Sequence, residues 1–296
     1  MPNRPDDEVW KIREKLGHLA VQPAPAQWLD TGIPDLNQVL GDRQRGIAYG
    51  RIIEASGWES HAKTSVFLSI LALAQRDGAE LILADFENSY DPTWAERRGI
   101  DVSRLRVFQP YVGKFGKEKT PRLCTAQELC AEVEEAILTL AQRKATKIAV
   151  LVDSVPSMLP EGAAIAGLEE HTMRTQLELP VFLSSLLQRW VGLAHAYSVM
   201  MIFINQLRQK PQAFGDSVYT PGGSALKFYS HVRVRLRRTK GGKIVRKGKV
   251  VGIQGVIQNL KNKVGGYEGS SIGFRLLFDG PIEFVPVEEL EEQDEQ

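Results

Sequence analysis

The chain has 296 residues, 43% hydrophobic and 25% charged, with 37 Lys and Arg against 36 Asp and Glu for a net charge of +1. That length carries a substantial core, the composition excludes a collagen-like or disordered chain, and no apolar run reaches the roughly 18–20 residues of a membrane helix, so no membrane partner is expected. The N-terminal MPNRPDDEVW is too polar for a secretory leader, and Cys124 and Cys130 form neither a disulfide framework nor a metal spacing, which fits a reducing, cytoplasmic setting.

Residues 7–20 (DEVWKIREKLGHLA) place Val9, Trp10, Ile12, Leu16 and Leu19 roughly on one helical face. The following VQPAPAQ is an extended linker. Such a tethered helix packs on its own core or on a neighbour's, and both readings stay open. From about residue 28 strands and helices alternate. IIEA (52–55) is a strand, KTSVFLSILALAQRD (63–77) a helix and AELILADF (79–86) a buried strand; DPTWAERRG (91–99) is a short helix and LRVFQP (105–110) a strand, followed by the loop YVGKFGKEKTP. A helix follows over 125–143, opened by Thr125 and Glu128 as a capping box. KIAVLVDS (147–154) has the near-continuous apolar run of a buried parallel strand. FLSSLLQRWVGLAHA (182–196) lies in a long helix and VMMIFINQ (199–206) is the next strand. Beyond it HVRVRLRR (231–238), KVVGIQGVIQNLKN (249–262) and SIGFRLLF (271–278) alternate as antiparallel strands do. The expected fold class is α/β: a mainly parallel sheet flanked by helices, with a C-terminal antiparallel extension. The expected divisions are an N-terminal helix and linker (1–27), a core (28–285) and an acidic tail (286–296).

Charge is unevenly placed. No Asp or Glu occurs from Ser217 to Gly266, a span with 12 Lys and Arg, whereas the chain ends in EELEEQDEQ. A basic segment before an acidic tail points to a polyanion partner, with the tail as a competitor for the same surface; a solvated strand pair and a solubilising tail is the plain alternative.

GWESHAKTS (57–65) lies between a predicted strand and a predicted helix, the context of a phosphate-binding loop of pattern G-x-x-x-x-G-K-[ST]. Gly57, Lys63 and Thr64 fit the pattern, and Ala62 stands where its second glycine belongs. The backbone of Gly57, Trp58, Glu59, Ser60, His61, Ala62, Lys63, Thr64 and Ser65 would face phosphates from a helix N-terminus. Lys63 would reach the β- and γ-phosphates and Thr64 would hold Mg²⁺. Asp153, ending the VLVD strand, suits a water-mediated contact to that ion. Glu87, just past a strand end in LADFE, can orient or deprotonate an attacking water. If position 62 is left-handed, alanine adopts it at about 1–2 kcal/mol, which weakens nucleotide binding without abolishing it. His61 adds bulk, either as a cation near phosphate or as a plain surface side chain.

Taken together, YGRIIEASGWESHAKTS, LADFENSYDPTWAERRGID, VLVDSV, IFINQLR, PGGSALKFYSHVRVRLRR and LKNK resemble the RecA strand-exchange family over about residues 28–285. The resemblance implies ATP and Mg²⁺ as ligands, Glu87 as catalytic glutamate, and Asp91 and Trp94 as the residues that hydrogen-bond and stack on adenine, with Trp94 where the family usually has tyrosine. It implies Gln206 as the γ-phosphate sensor coupled to a DNA-binding loop. Lys261 and Lys263 are then the lysines that reach a neighbouring subunit's ATP, and Phe228 an interface aromatic, with core packing as its plain alternative. Trp10 joins the interface if the N-terminal helix docks on a neighbour.

Two loops would carry single- and double-stranded DNA in a helical filament. The first, residues 160–176, departs from the family and offers Arg174; the second, 208–224, matches it at Arg208, Phe214, Gly222 and Gly223. Binding would be backbone-led, salt-sensitive and largely independent of sequence. The C-terminal domain of bacterial RecA has no counterpart in the sequence given. The reading is an ATP-dependent recombinase that forms filaments on single-stranded DNA and promotes homologous pairing and strand exchange, with DNA-stimulated and slow hydrolysis. Two alternatives stay open: an accessory repair factor of ImuA type with little or no ATPase activity, favoured by Ala62, and a RadA- or KaiC-like ring ATPase.

Overall fold

The computed structural model describes residues 27–114, 121–165, 173–209 and 218–290. In chain order the elements are β1 (Trp28–Leu29), α1 (Pro34–Leu40), β2 (Ile47–Ala48), β3 (Ile52–Gly57), α2 (Lys63–Arg76), β4 (Glu80–Asp85), α3 (Pro92–Arg97), β5 (Leu105–Phe108), β6 (Val112–Gly113) and β7 (Arg122–Leu123). They continue with α4 (Ala126–Gln142), β8 (Ile148–Asp153), α5 (Glu161–Ile165), α6 (Met173–Tyr197), β9 (Val199–Gln206), β10 (Arg208–Gln209), β11 (Val218–Tyr219), α7 (Ala225–Tyr229), β12 (Val232–Arg246), β13 (Lys249–Asn262), β14 (Ser271–Leu277) and β15 (Ile282–Val285).

One nine-stranded sheet organises the chain, in the order β15-β14-β13-β12-β3-β9-β8-β4-β5. From β12 to β5 neighbouring strands are parallel, and β13, β14 and β15 add an antiparallel edge. The apolar runs follow from cover on both faces. Ile53, Leu81, Leu83, Leu151, Ile202 and Ile204 point to the face packed by α1 and α2. Their alternates Ile52, Ile82, Val150, Val152, Met201 and Phe203 point to the face packed by α4 and α6. α4 begins on the expected capping box: the Thr125 hydroxyl accepts from Glu128 N–H, and the Glu128 carboxylate accepts from Thr125 N–H at 2.8 Å.

Three expectations are corrected. HVRVRLRR is not purely antiparallel: β12 pairs parallel with β3, Val232 opposite Ile53 through Leu236 opposite Gly57, and antiparallel only with β13. Alternation reports covered and open faces, not strand direction. The stretch 160–176 is not one loop, because α5 occupies Glu161–Ile165 and α6 begins at Met173, running through Pro180. The loop after LRVFQP carries the short β6–β7 pair, with Val112 opposite Leu123.

Candidate nucleotide site

β3, β9, β8 and β4 are consecutive in the sheet and parallel, so their carboxyl ends open on one side. Ligands of open α/β sheets bind at such an edge, where the chain's order across the sheet reverses. Each strand delivers one expected residue there: Gly57 and the loop to α2 from β3, Glu87 just beyond β4, Asp153 from β8 and Gln206 from β9. Glu59 to Ser65, Glu87, Asp153, Ile204 and Gln206 line one cavity of about 260 Å³.

The loop is strained where the sequence departs from the pattern. Ala62 has φ 59° and ψ 20°, in the left-handed region, and Ser60 has φ 59°. This alternation turns successive N–H groups to one side, as an anion-binding nest requires. Gly57 is needed for a separate reason: a Cβ there would lie 2.8 Å from the Leu236 carbonyl oxygen of β12. Lys63 is buried, its ammonium donating to the Trp58 carbonyl at 2.7 Å. Burial pulls its pKa down, against the charges of Asp153 and Glu87. His61 bonds the Leu236 carbonyl through Nδ1 at 3.2 Å, and burial pulls its pKa down too. Its imidazole therefore braces the loop against β12.

Thr64 Oγ1 donates to Asp153 Oδ2 at 2.6 Å. Burial pushes the Asp153 carboxyl up to about 7, and neighbouring Glu87 and Asp85 add to the effect while Thr64 and Lys63 oppose it. A hydroxyl and a crowded carboxylate are hard oxygen donors, and a divalent cation beside them would relieve the repulsion, so this pair fits Mg²⁺. Among the described residues no group of three or more His, Cys, Asp or Glu could cage a metal. Such a site needs phosphate and water to complete the shell, as Mg²⁺ sites commonly do.

Glu87 is held through one oxygen. Ser154 Oγ donates to Oε1, Ser157 Oγ lies 3.4 Å and Gln206 Nε2 3.5 Å from the same atom. Oε2 has no hydrogen-bond partner among the described residues. Asp85, buried at the end of β4, shapes the loop by accepting from the N–H groups of Glu87 at 3.1 Å, Ser89 at 2.8 Å and Tyr90 at 2.8 Å, and from Gln109 Nε2 at 2.8 Å. Ser154 and Asp85 were missed in the sequence; the only signal was a polar residue closing a buried run, in VLVDS and LILAD.

Asp91 caps α3, accepting from Thr93 N–H at 2.8 Å and Trp94 N–H at 3.3 Å. Trp94 is half-buried and its Nε1–H donates to Ser65 Oγ at 3.1 Å, which ties the indole to the phosphate-loop helix. Lys261 and Lys263 are at the other end of the sheet. Lys261 is opposite Arg233, Lys263 N–H bonds the His231 carbonyl, and His231 N–H bonds that of Ile52, where β3 starts. Five residues of strand, about 17 Å at the usual rise, separate Ile52 from Gly57. The two lysines therefore do not join their own chain's cavity. Phe228 is 73% exposed, so core packing is excluded as its role.

The two ends of the second loop are tied to the sheet. Gln206 leads into β10, where Arg208 is exposed, and Asn205 Nδ2 donates to the Pro221 carbonyl and to Glu54 Oε1, each at 3.2 Å. Gly222 and Gly223 have φ 88° and 74°, and a Cβ would meet Leu183 at 2.3 Å or Pro180 at 3.1 Å. Packing against α6 is thus sufficient reason for both glycines. Arg174 lies in the first turn of α6, its side chain outside the described residues, as are Trp10, Phe214 and the tail from 291. The β12–β13 ribbon continues past Gly57 and exposes Lys240, Lys243, Arg246, Lys247 and Lys249. No described helix is long and apolar enough to cross a membrane.

Comparison with known proteins fits this geometry. The profile of the RecA N-terminal domain matches residues 14–278. The chain is 33% identical to Protein RecA of Symbiobacterium thermophilum over 257 residues, which is 86% of this chain and 65% of that protein. It is 32% identical to Protein RecA of Marinobacter nauticus over 251 residues, 84% of this chain and 65% of that one. For Protein RecA of Aquifex pyrophilus the identity is 31% over 260 residues, 86% of this chain and 68% of that protein. The matched region thus spans about two thirds of the length of these relatives. With four parallel strand ends converging on the Gly57–Ser65 loop and a match over most of its length, the chain belongs to the RecA family.

Proposed function

We propose that this protein is an ATP-dependent DNA recombinase that assembles as a helical filament on single-stranded DNA and promotes homologous pairing and strand exchange. The observation that carries the reading is the meeting of Lys63, Thr64, Glu87, Asp153 and Gln206 around one cavity at the carboxyl edge of the sheet. The loop N–H groups and Lys63 bind the triphosphate. Thr64 and Asp153 hold Mg²⁺, which supplies charge neutralisation at the phosphates when bound. Glu87, fixed through Oε1, orients the attacking water and takes its proton on Oε2. Gln206 senses the γ-phosphate and passes its presence to the loop that begins two residues later. Lys261 and Lys263, remote from their own cavity, complete a neighbouring subunit's site, so hydrolysis depends on assembly. Exposed Phe228 belongs to the same interface. Arg208 and the basic ribbon supply backbone-directed, salt-sensitive contact to DNA. Cys124 and Cys130, both buried and unpaired, suit a cytoplasmic protein.

Steady-state ATP hydrolysis, with and without single-stranded DNA at several protein concentrations, tests the reading. Stimulation by DNA that rises cooperatively with concentration is the expected result; no hydrolysis under any condition would sink it. The strain at Ala62 favours one second reading, a nucleotide-gated accessory factor with little turnover. That reading predicts DNA-dependent assembly without phosphate release.

A further inference from the structure

Arg98 follows the last turn of α3 and is only 2% exposed. No ion pair to a carboxylate accompanies it among the described residues. Its Nη2 donates to the carbonyls of Leu277 at 3.0 Å and Phe278 at 3.2 Å, at the end of β14. Its Nε and Nη1 are buried without a hydrogen-bond partner. The guanidinium carbon lies 4.4 Å from the centroid of the Trp94 ring. Burying a guanidinium is costly, and here the π face of the indole, with the more distant charge of Asp279, offsets it.

This stack completes the immobilisation of Trp94. Asp91 bonds the residue's backbone, Ser65 bonds the indole edge, and Arg98 covers one ring face. The same guanidinium ties α3 to the turn after β14, where the Phe278 side chain is 38% exposed. One buried cation therefore contacts both the tryptophan ring and the turn that carries Phe278. A cation against one face also draws electron density from the indole, which favours stacking of an electron-rich purine on the ring.

We propose that Arg98 is the positioning residue of a nucleobase platform: it fixes the Trp94 indole against the 277–278 turn, and so controls the affinity and purine preference contributed by the base, independently of the triphosphate. This rests on the reading of the cavity as an ATP site. Arg98 bonds the 277–278 carbonyls and covers Trp94, and it reaches the phosphate loop only through the Trp94–Ser65 hydrogen bond, so its loss is expected to weaken base binding more than triphosphate binding.

The test compares the binding of ATP, CTP and inorganic tripolyphosphate, each with Mg²⁺, to the wild-type chain and to Arg98→Leu and Arg98→Lys, with fold checked by circular dichroism. The lysine variant keeps a charge but loses the flat stack, and serves if the leucine variant does not fold. The expected result is an ATP affinity lowered about tenfold in Arg98→Leu and about threefold in Arg98→Lys. Tripolyphosphate affinity stays within about twofold of wild type, and the preference for ATP over CTP shrinks. The part of the tryptophan quenching by ATP that Trp94→Phe removes, beyond that of Trp58 in the loop, falls in parallel. Equal weakening of ATP and tripolyphosphate, or unchanged ATP affinity in a folded variant, overturns the proposal. Wild-type protein that binds tripolyphosphate with no gain from the base overturns it while leaving a phosphate site; binding of neither ligand removes the ATP-site reading as well.

Discussion

Gln206 Nε2 lies 3.5 Å from Glu87 Oε1, and the N–H of the next residue, Leu207, donates to the Gly57 carbonyl at 3.0 Å. The side chain that would sense the γ-phosphate thus touches the proposed base, while its neighbour is stitched to the start of the phosphate loop. Arg208 begins β10 immediately afterwards. Gln206→Ala removes the proposed sensor and leaves the loop bond in place. ATP affinity is expected to stay within about threefold, while stimulation of hydrolysis by single-stranded DNA is lost. Glu87→Gln is expected to lower turnover at least a hundredfold at near-normal ATP affinity, the range of general base catalysis. Equilibrium binding and single-turnover hydrolysis on both variants separate the two roles.

Ala62→Gly relieves the left-handed strain at the loop, about 1–2 kcal/mol for a residue with a Cβ. Glycine gives back part of that through the entropy of the unfolded chain, about 0.4–1 kcal/mol. The net expectation is a protein more stable by about 0.5–1 kcal/mol. Urea unfolding at fixed m-value measures it. A destabilised variant would mean that Ala62 packs against its neighbours more tightly than its half-buried position indicates.

Glu54 is 1% exposed in the middle of β3, with Oε2 2.5 Å from Arg233 Nε of β12 and Oε1 3.2 Å from Asn205 Nδ2 of β9. One carboxylate thus bonds both flanking strands, and Asn205 extends the network to Pro221. Glu54→Ala leaves the guanidinium of Arg233 uncompensated and is expected to cost about 3–5 kcal/mol. Glu54→Gln, which keeps the bond to Asn205, should cost less. Denaturant unfolding of both variants, and of the double variant Glu54→Ala with Arg233→Met, checks whether the loss lies in the unpaired charge.

This network also marks how far the sequence can be read. The parallel core was legible because each strand is apolar on both faces, and the phosphate loop because Lys63 and Thr64 fall where a strand turns into a helix. The strand IIEA gave no sign of what Glu54 would bond, since its partners come from strands some 150 and 180 residues later. The direction of β12 was equally hidden, because alternation does not encode which neighbour a strand chooses. Arg98 sat within a run of surface charges, ERR, and only the approach of β14 makes it a buried cation. Local chemistry was readable; pairings across the sheet were not.

His231 offers a pH test. Ile52 N–H lies 3.3 Å from its Nδ1, so the neutral ring accepts there. Burial, with the charges of Arg51, Lys261 and Lys263 adding to it, pushes its pKa down to about 4. The unfolded value is about 6.5. The neutral ring is thus favoured in the folded state, and its contribution is fully present above pH 6.5 and lost as pH falls towards 4. Discounted for solvent contact, the loss is about 1–2 kcal/mol. His231→Asn, which keeps an acceptor and does not titrate, is expected to flatten the stability profile between pH 6.5 and 4. An unchanged slope would assign the acid lability to other groups.

Lys261 donates to the carbonyls of Lys227 at 2.6 Å and Phe228 at 3.3 Å, beside the exposed Phe228 ring, at the sheet end opposite the cavity. Burial pulls its pKa down, with nearby Lys263 and Arg233 adding to the effect and Glu54 and Glu268 opposing it, so an anion brought to this edge would meet a lysine already crowded by other cations. If that anion is a neighbour's triphosphate, complementation follows. Lys63→Ala has a dead loop and good lysines; Lys261→Ala has a good loop and a missing lysine. Each alone is expected to be inactive. In an equal, freely exchanging mixture about a quarter of the interfaces join a good loop to good lysines, and about a quarter of wild-type turnover should return. Lysines acting within their own chain would give no recovery at any ratio, because no subunit in the mixture carries both intact parts.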